Sequence, residues 1–158
     1  MEAGEIMHKS VLTATPRASV RDIAIKLVTN RISGIPVTDR DGVVLGVITE
    51  ENILRALMEQ KGLETLSAQD IMSKDLVAVR TDTSLEGVMQ ILHDEGIRRV
   101  PVTEGGRLVG IISRSDVIRA VLDLEFASFG QEVAPVSRPR RSSGKRRQQQ
   151  PEHTAVRD

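Results

Sequence analysis

The sequence contains the same unit twice. Ile6-Met7-x-Lys9 returns 65 residues later as Ile71-Met72-x-Lys74. The same offset pairs Ser19 with Ser84, Ile32 with Ile97, and Ile35-Pro36-Val37-Thr38 with Val100-Pro101-Val102-Thr103. One deletion in a turn shortens the offset to 64, pairing Leu45-Gly46-Val47-Ile48-Thr49 with Val109-Gly110-Ile111-Ile112-Ser113 and Arg55-Ala56 with Arg119-Ala120. Self-similarity at such a period marks one supersecondary unit used again. A unit of about 60 residues buries too little surface to hold a core alone, so the two copies are expected to close on each other about a pseudo-twofold axis.

Each copy reads as strand, helix, strand, strand, helix. In the first, Val11 to Ala14 is a short strand, and Ser19 with Asp22 three residues on forms a capping box ahead of the stripe Ile23, Leu27, Val28. Ile35-Pro36-Val37-Thr38 is a strand whose proline sits where no ladder bond is needed. Asp39-Arg40-Asp41-Gly42 turns into a hairpin strand, Val43 to Ile48. Thr49 caps a second helix with Ile53, Leu54, Leu57 and Met58 on its apolar side. The second copy repeats the plan with Thr83 and Glu86 as capping box, Glu104-Gly105-Gly106 as turn, and Val117, Ile118, Val121 and Leu122 as the last stripe. The expected division is a first unit at 1–62, a linker at 63–68, a second unit at 69–129 and a disordered basic tail at 130–158, which lacks apolar periodicity.

Composition narrows the function classes. The 22 basic and 22 acidic side chains cancel overall. Residues 130–158 hold seven basic and three acidic residues, which leaves fifteen basic and nineteen acidic in the body, a net of −4. An acidic body does not bind nucleic acid by charge, and only the tail's Arg138–Arg147 cluster could reach such a partner. The absence of cysteine excludes disulfides, thiolate nucleophiles and iron–sulfur clusters. Without Tyr or Trp there is no aromatic platform for base stacking, so a bound purine would lie between aliphatic side chains. His8, His93 and His153 are scattered with no metal-ligand spacing, no serine has a neighbouring histidine base, and no phosphate-binding glycine loop occurs. Met7 and Met72 are expected to fill gaps ahead of the first strands. No long apolar run occurs, and the expected setting is the cytoplasm without membrane attachment.

The ordered motifs Ile-Pro-Val-Thr-Asp (35–39), Gly-Val-Ile-Thr-x-x-Asn (46–52), Val-Pro-Val-Thr-Glu (100–104) and Gly-Ile-Ile-Ser-x-x-Asp (110–116) resemble the CBS domain pair, the Bateman module named from cystathionine β-synthase. The resemblance spans about residues 5–126. It implies an α/β tandem pair of β-α-β-β-α units that senses adenine nucleotides or S-adenosylmethionine in clefts between its units, with no catalytic residue, metal or cofactor.

The residues themselves supply reasons for binding. Ser113 stands where a strand meets a helix, so free N–H groups and the positive dipole end favour an anion. Ser113 and Ser115 add hydroxyls, and Asp116 has acceptor oxygens that suit a ribose diol, the role the resemblance gives it. Ser113-x-x-Asp116 also reads as a plain capping box. Arg98 and Arg99 are strand neighbours, so one is expected to face the cleft and the other to turn away. By the pseudo-twofold relation Ile32 and Ser33 form the opposite wall, with Thr13 and Thr15 near the base. Thr49, Glu51 and Asn52 replace Ser113, Ser115 and Asp116 in the first unit. A carboxylate at 51 would repel phosphate unless it turns outward, and an amide at 52 holds a diol less well. The Thr49/Asn52 cleft is therefore expected to be the weaker one.

The expected protein is a non-catalytic sensor of an adenosine-containing ligand, AMP or ATP foremost. It would form a homodimer through the last helix of each unit and act on a protein partner that the sequence does not identify. The competing reading is a ligand-free structural module that assembles through those helices.

Overall fold

The computed structural model describes residues 1–128. The basic tail, 130–158, and Phe129 lie outside the described residues. Its elements run α1 (Ala3–Ile6), α2 (Val20–Asn30), β1 (Gly34–Thr38), β2 (Val44–Thr49), α3 (Glu50–Met58), α4 (Ala68–Ile71), β3 (Val79–Arg80), α5 (Leu85–Asp94), β4 (Arg99–Glu104), β5 (Arg107–Ser113) and α6 (Arg114–Ser128). β1 and β2 form an antiparallel hairpin, as do β4 and β5, and β3 joins β4 in parallel. The α/β tandem plan is present in both halves.

The two hairpins meet on the pseudo-twofold axis. Val43 and Arg107, which the repeat offset makes equivalent, face each other in an antiparallel bridge. The flanking bonds, Leu108 N–H to Gly42 O at 2.9 Å and Val44 N–H to Gly106 O at 3.2 Å, exchange with each other under the repeat relation.

Each leading segment packs on the other unit. Ala3 and Gly4 donate to the carbonyls of Thr83 and Thr81, and His8 exchanges two backbone bonds with Ile111. In the mirror arrangement Ala68 and Gln69 donate to Ala18 and Pro16, and Ser73 exchanges two bonds with Val47. Ala3 is therefore buried in the core of Val88, Val100, Val102 and Ile112, while Ala68 is buried in that of Val20, Ile23, Ile35 and Ile48. Met7 lies over Gly110, and Met72 over Gly46. A Cβ on Gly110 would stand 2.8 Å from Met7 Cγ, and one on Gly46 2.7 Å from the Ser73 carbonyl oxygen. Only glycine admits so close an approach on the second strand of each hairpin.

Several local expectations change. Of Val11 to Ala14 only Ala14 pairs, with Val37. Its N–H reaches Pro36 O and its carbonyl accepts from Thr38, and the next parallel bond would need an N–H that Pro36 does not have. Ser19 precedes α2 without a side-chain cap, so no box forms with Asp22. Carbonyls of the connecting segment satisfy the helix start instead, Leu66 O for Val20 and Leu63 O for Arg21. Ser84, rather than Thr83, caps α5 by accepting from Gly87 N–H at 3.1 Å, while Thr83 Oγ1 accepts from Arg80 N–H at 3.0 Å. β2 starts at Val44, since Val43 pairs across the axis.

One backbone position differs in chemistry between the copies. Arg31, the C-cap of α2, has φ 53°, and its repeat equivalent Gly96 has φ 62°. The left-handed conformation suits glycine and costs other residues roughly 1 kcal/mol.

Candidate functional site

The site is built from the two strand-to-helix junctions that face the axis. At the first, Asn52 Oδ1 accepts from Thr49 N–H at 2.8 Å and from Thr49 Oγ1 at 3.0 Å, and Asn52 N–H returns a bond to Thr49 Oγ1 at 3.3 Å. At the second, Asp116 Oδ2 accepts from Ser113 N–H at 2.7 Å and Ser113 Oγ at 2.8 Å, and Asp116 N–H reaches Ser113 Oγ at 3.3 Å. Both are reciprocal capping boxes. The capping role read for Ser113-x-x-Asp116 is formed.

The remaining polar atom of each cap is met by the leading segment that crosses from the other unit. Asn52 Nδ2 donates to Ser73 Oγ at 3.3 Å, and Asp116 Oδ1 lies 2.7 Å from His8 Nε2. His8 and Ser73 are repeat equivalents, so one junction joins a carboxylate to an imidazole and the other joins an amide to a hydroxyl. Arg119 Nη1 stands 3.6 Å from the same Asp116 oxygen. Burial, with the Asp116 side chain only 7% exposed, would raise its carboxyl pKa. The Ser113 N–H and hydroxyl, with His8, outweigh that and hold it below the ordinary aspartate value.

Two adjoining cavities open between the units. The larger, about 830 Å³, has an apolar floor that includes Leu27, Ile35, Val47, Ile53 and Pro101, and its rim carries Thr49 and Glu51. The smaller, about 450 Å³, is polar and lies at Ser113 and Ser115. Ser33, Glu50, Arg98 and Arg99 line both. The larger space is thus on the Thr49 side, which the sequence reading ranked second.

Of the residues singled out from the sequence, Ser33, Arg98, Arg99, Ser113 and Ser115 come together at the smaller cavity and Thr49 at the larger. Both arginines face the cleft, although alternation along a strand turns one away. β4 begins at Arg99, so Arg98 precedes the strand and escapes its alternation. Asn52 and Asp116 are buried in their caps and line neither cavity. Thr13, Thr15 and Ile32 also line neither, and Ile32 packs against the first unit's core. Glu51 is exposed and bonds Arg55 at 3.0 Å one turn along, the outward placement that leaves its junction open.

Sequence reasoning missed Arg31, Glu50 and Arg114, which line the smaller cavity, and His8 as the partner of Asp116. Repeat alignment carries a signal for Arg31, since it replaces Gly96. Nothing local marks His8, whose partner is 108 residues away. Among the described residues no cluster of three or more acidic or histidine side chains could hold a metal, and no helix is long and apolar enough to cross a membrane.

Known proteins share this architecture. The chain is 26% identical over 141 residues to uncharacterized protein MK0525 of Methanopyrus kandleri, covering 84% of this chain and 72% of that one. Another relative is much longer: the match to inosine-5'-monophosphate dehydrogenase of Methanocaldococcus jannaschii, 29% identical over 119 residues, spans 75% of this chain and 23% of the enzyme. Among solved structures, CBSX2 in complex with AMP aligns with TM-score 0.70 and 28% identity, over 78% of this chain and 98% of that one. The CBS domain pair of protein MJ0100, in complex with 5-methylthioadenosine and S-adenosyl-L-methionine, aligns with TM-score 0.70 and 26% identity over the same shares. The CBS domain family model matches residues 3–59 and again 68–123. With both repeats matched, the chain belongs to the CBS domain family as a tandem pair.

Proposed function

We propose that the protein is a non-catalytic regulatory module that binds an adenosine-containing ligand in the cleft between its CBS units. The observation that carries this reading is the placement of an apolar cavity of about 830 Å³ against a polar one. A purine would lie on aliphatic side chains in the first, and its phosphate would meet Arg98, Arg99, Ser113 and Ser115 in the second. CBSX2 with AMP and MJ0100 with its two adenosine compounds support the ligand class. In this reading Asp116 and Asn52 release part of their caps to reach ribose hydroxyls, with Ser33 and Thr49 around the nucleoside. Binding that favours one arrangement of the pair over another would be the regulatory signal. The protein works in the cytoplasm on a protein partner, and forms a homodimer.

The dimer rests on a separate observation. α3 and α6 bury Ile53, Ala56, Val117 and Ala120 against their own units, yet leave Leu54 58%, Met58 78% and Ile118 60% exposed. A second copy covering both helices would remove that apolar surface from water.

The test is a thermal melt with AMP, ADP, ATP and S-adenosylmethionine. One of them should raise the midpoint by at least about 3 °C at saturating concentration. No shift with any of them favours the assembly module with empty clefts. Without Tyr or Trp, a co-purifying adenine nucleotide would also dominate the ultraviolet spectrum. Turnover of any nucleotide would contradict the non-catalytic assignment.

A further inference from the structure

Resting on that reading of the cleft, we infer that the smaller cavity selects a ligand with two or more phosphates, and that Arg31 and Arg114 are its specificity-determining residues. The cavity brings Arg31, Arg98, Arg99 and Arg114 around one carboxylate, Glu50, for a net charge of +3. Among the described residues none of these four guanidiniums pairs with a carboxylate. Four like charges around one concavity repel each other until an anion enters. A single phosphate brings about two negative charges at neutral pH, fewer than the cavity offers, and a second phosphate closes the difference.

The duplication shows that this charge is not a by-product of the fold. Arg31 occupies a left-handed position where the other copy has Gly96. Its N–H caps α2 through the carbonyls of Leu27 and Val28, a contact that glycine would make equally well. Only the side chain gives a reason for arginine there, and Arg31 is among the residues that line the cavity. Arg114 stands where the other copy has Glu50. Its N–H donates to Arg98 O at 3.1 Å and its Nε to Ile97 O at 2.9 Å, which aims the guanidinium while leaving the terminal nitrogens for a ligand. The repeat relation thus turns Arg31 at one end into Gly96 at the other, and of the equivalent pair Glu50 and Arg114, Glu50 lines both cavities while Arg114 lines the smaller and not the larger. A polyphosphate is drawn to one end only.

Titration calorimetry of wild type and Arg31→Gly with AMP, ADP, ATP and inorganic tripolyphosphate tests this. Glycine is the residue this backbone favours, so the variant folds. Wild type should bind ADP or ATP at least about tenfold more tightly than AMP, and Arg31→Gly should weaken ATP about five- to tenfold while changing AMP less than about twofold. Arg114→Glu, which copies the other end, should abolish the preference for ATP. Equal affinity for AMP and ATP in wild type, or an ATP-to-AMP ratio unchanged in Arg31→Gly, overturns the inference and leaves the adenosine reading standing. Tripolyphosphate binding that depends on Arg31, with no binding of any adenosine compound, supports the polyphosphate cradle and overturns the adenosine reading instead.

Discussion

His8 Nε2 lies 2.7 Å from Asp116 Oδ1, and at the repeat-equivalent place Ser73 accepts from Asn52 Nδ2 at 3.3 Å. Each contact ties a leading segment to the helix start of the opposite unit, one through an acid and a base and the other through neutral groups. The pair of contacts reports the exchange of segments and the unequal chemistry of the two junctions together.

Asp116→Asn should destabilise the fold by about 1–2 kcal/mol at neutral pH, because an amide replaces the carboxylate that the cap and His8 both favour. The folded protein holds this carboxyl pKa below the ordinary aspartate value of 3.8. Its contribution is therefore fully present above that value and is lost as pH falls through the folded-state pKa. Urea denaturation of both proteins at neutral and acidic pH should show the gap closing below the ordinary aspartate range. A gap that stays constant with pH would contradict the ionic role.

Gly46→Ala and Gly110→Ala should each cost about 1–3 kcal/mol by overpacking, but they should differ in rescue. The new methyl at 110 meets the Met7 side chain, so adding Met7→Ala should recover part of the loss. At 46 it meets the Ser73 carbonyl oxygen at 2.7 Å, and adding Met72→Ala should recover little. A double-mutant cycle measures both couplings.

Arg31→Gly should leave the unliganded protein as stable as wild type or more stable by up to about 1 kcal/mol. Relief of the left-handed strain offsets the entropy glycine adds to the unfolded chain. A midpoint that falls by several degrees would show that the Arg31 side chain supports the fold rather than a ligand.

Leu54→Glu with Ile118→Glu should convert a dimer to monomers in sedimentation without lowering the stability of the pair, since both side chains are more than half exposed in the single chain. Wild-type protein sedimenting as a monomer at micromolar concentration would overturn the dimer.

Much of the fold was legible because it is local. Alternation and turn residues give the hairpins, with Asp39 Oδ1 accepting from Asp41 and Val43 N–H as a turn aspartate does. Helical spacing placed Ile23 and Leu27, and the duplication itself implied the axis that passes between Val43 and Arg107. These features depend on residues a few positions apart, or on the comparison of one copy with the other. What stayed hidden depends on where the chain goes in space. Ser19 has the right neighbour for a capping box, but carbonyls of residues 63 and 66 reach the helix start first. Val11, Leu12 and Thr13 cannot lengthen the sheet because the missing donor belongs to Pro36, on another strand.

The candidate site divides in the same way. The caps Thr49/Asn52 and Ser113/Asp116 were written in four-residue spacings, and the arginine pair in adjacent letters. Tertiary packing decided that each leading segment crosses to the other unit, which brings His8 to Asp116, and that both arginines face one cleft. It also gave the Thr49 side the larger volume and gathered Arg31 and Arg114 from distant elements into one cavity. Sequence determines the unit, its duplication and its local caps through short-range hydrogen bonding and periodicity. Only the closure of two units on each other, which maximises burial of what neither can bury alone, determines which side chains share a cavity and which charges face one another.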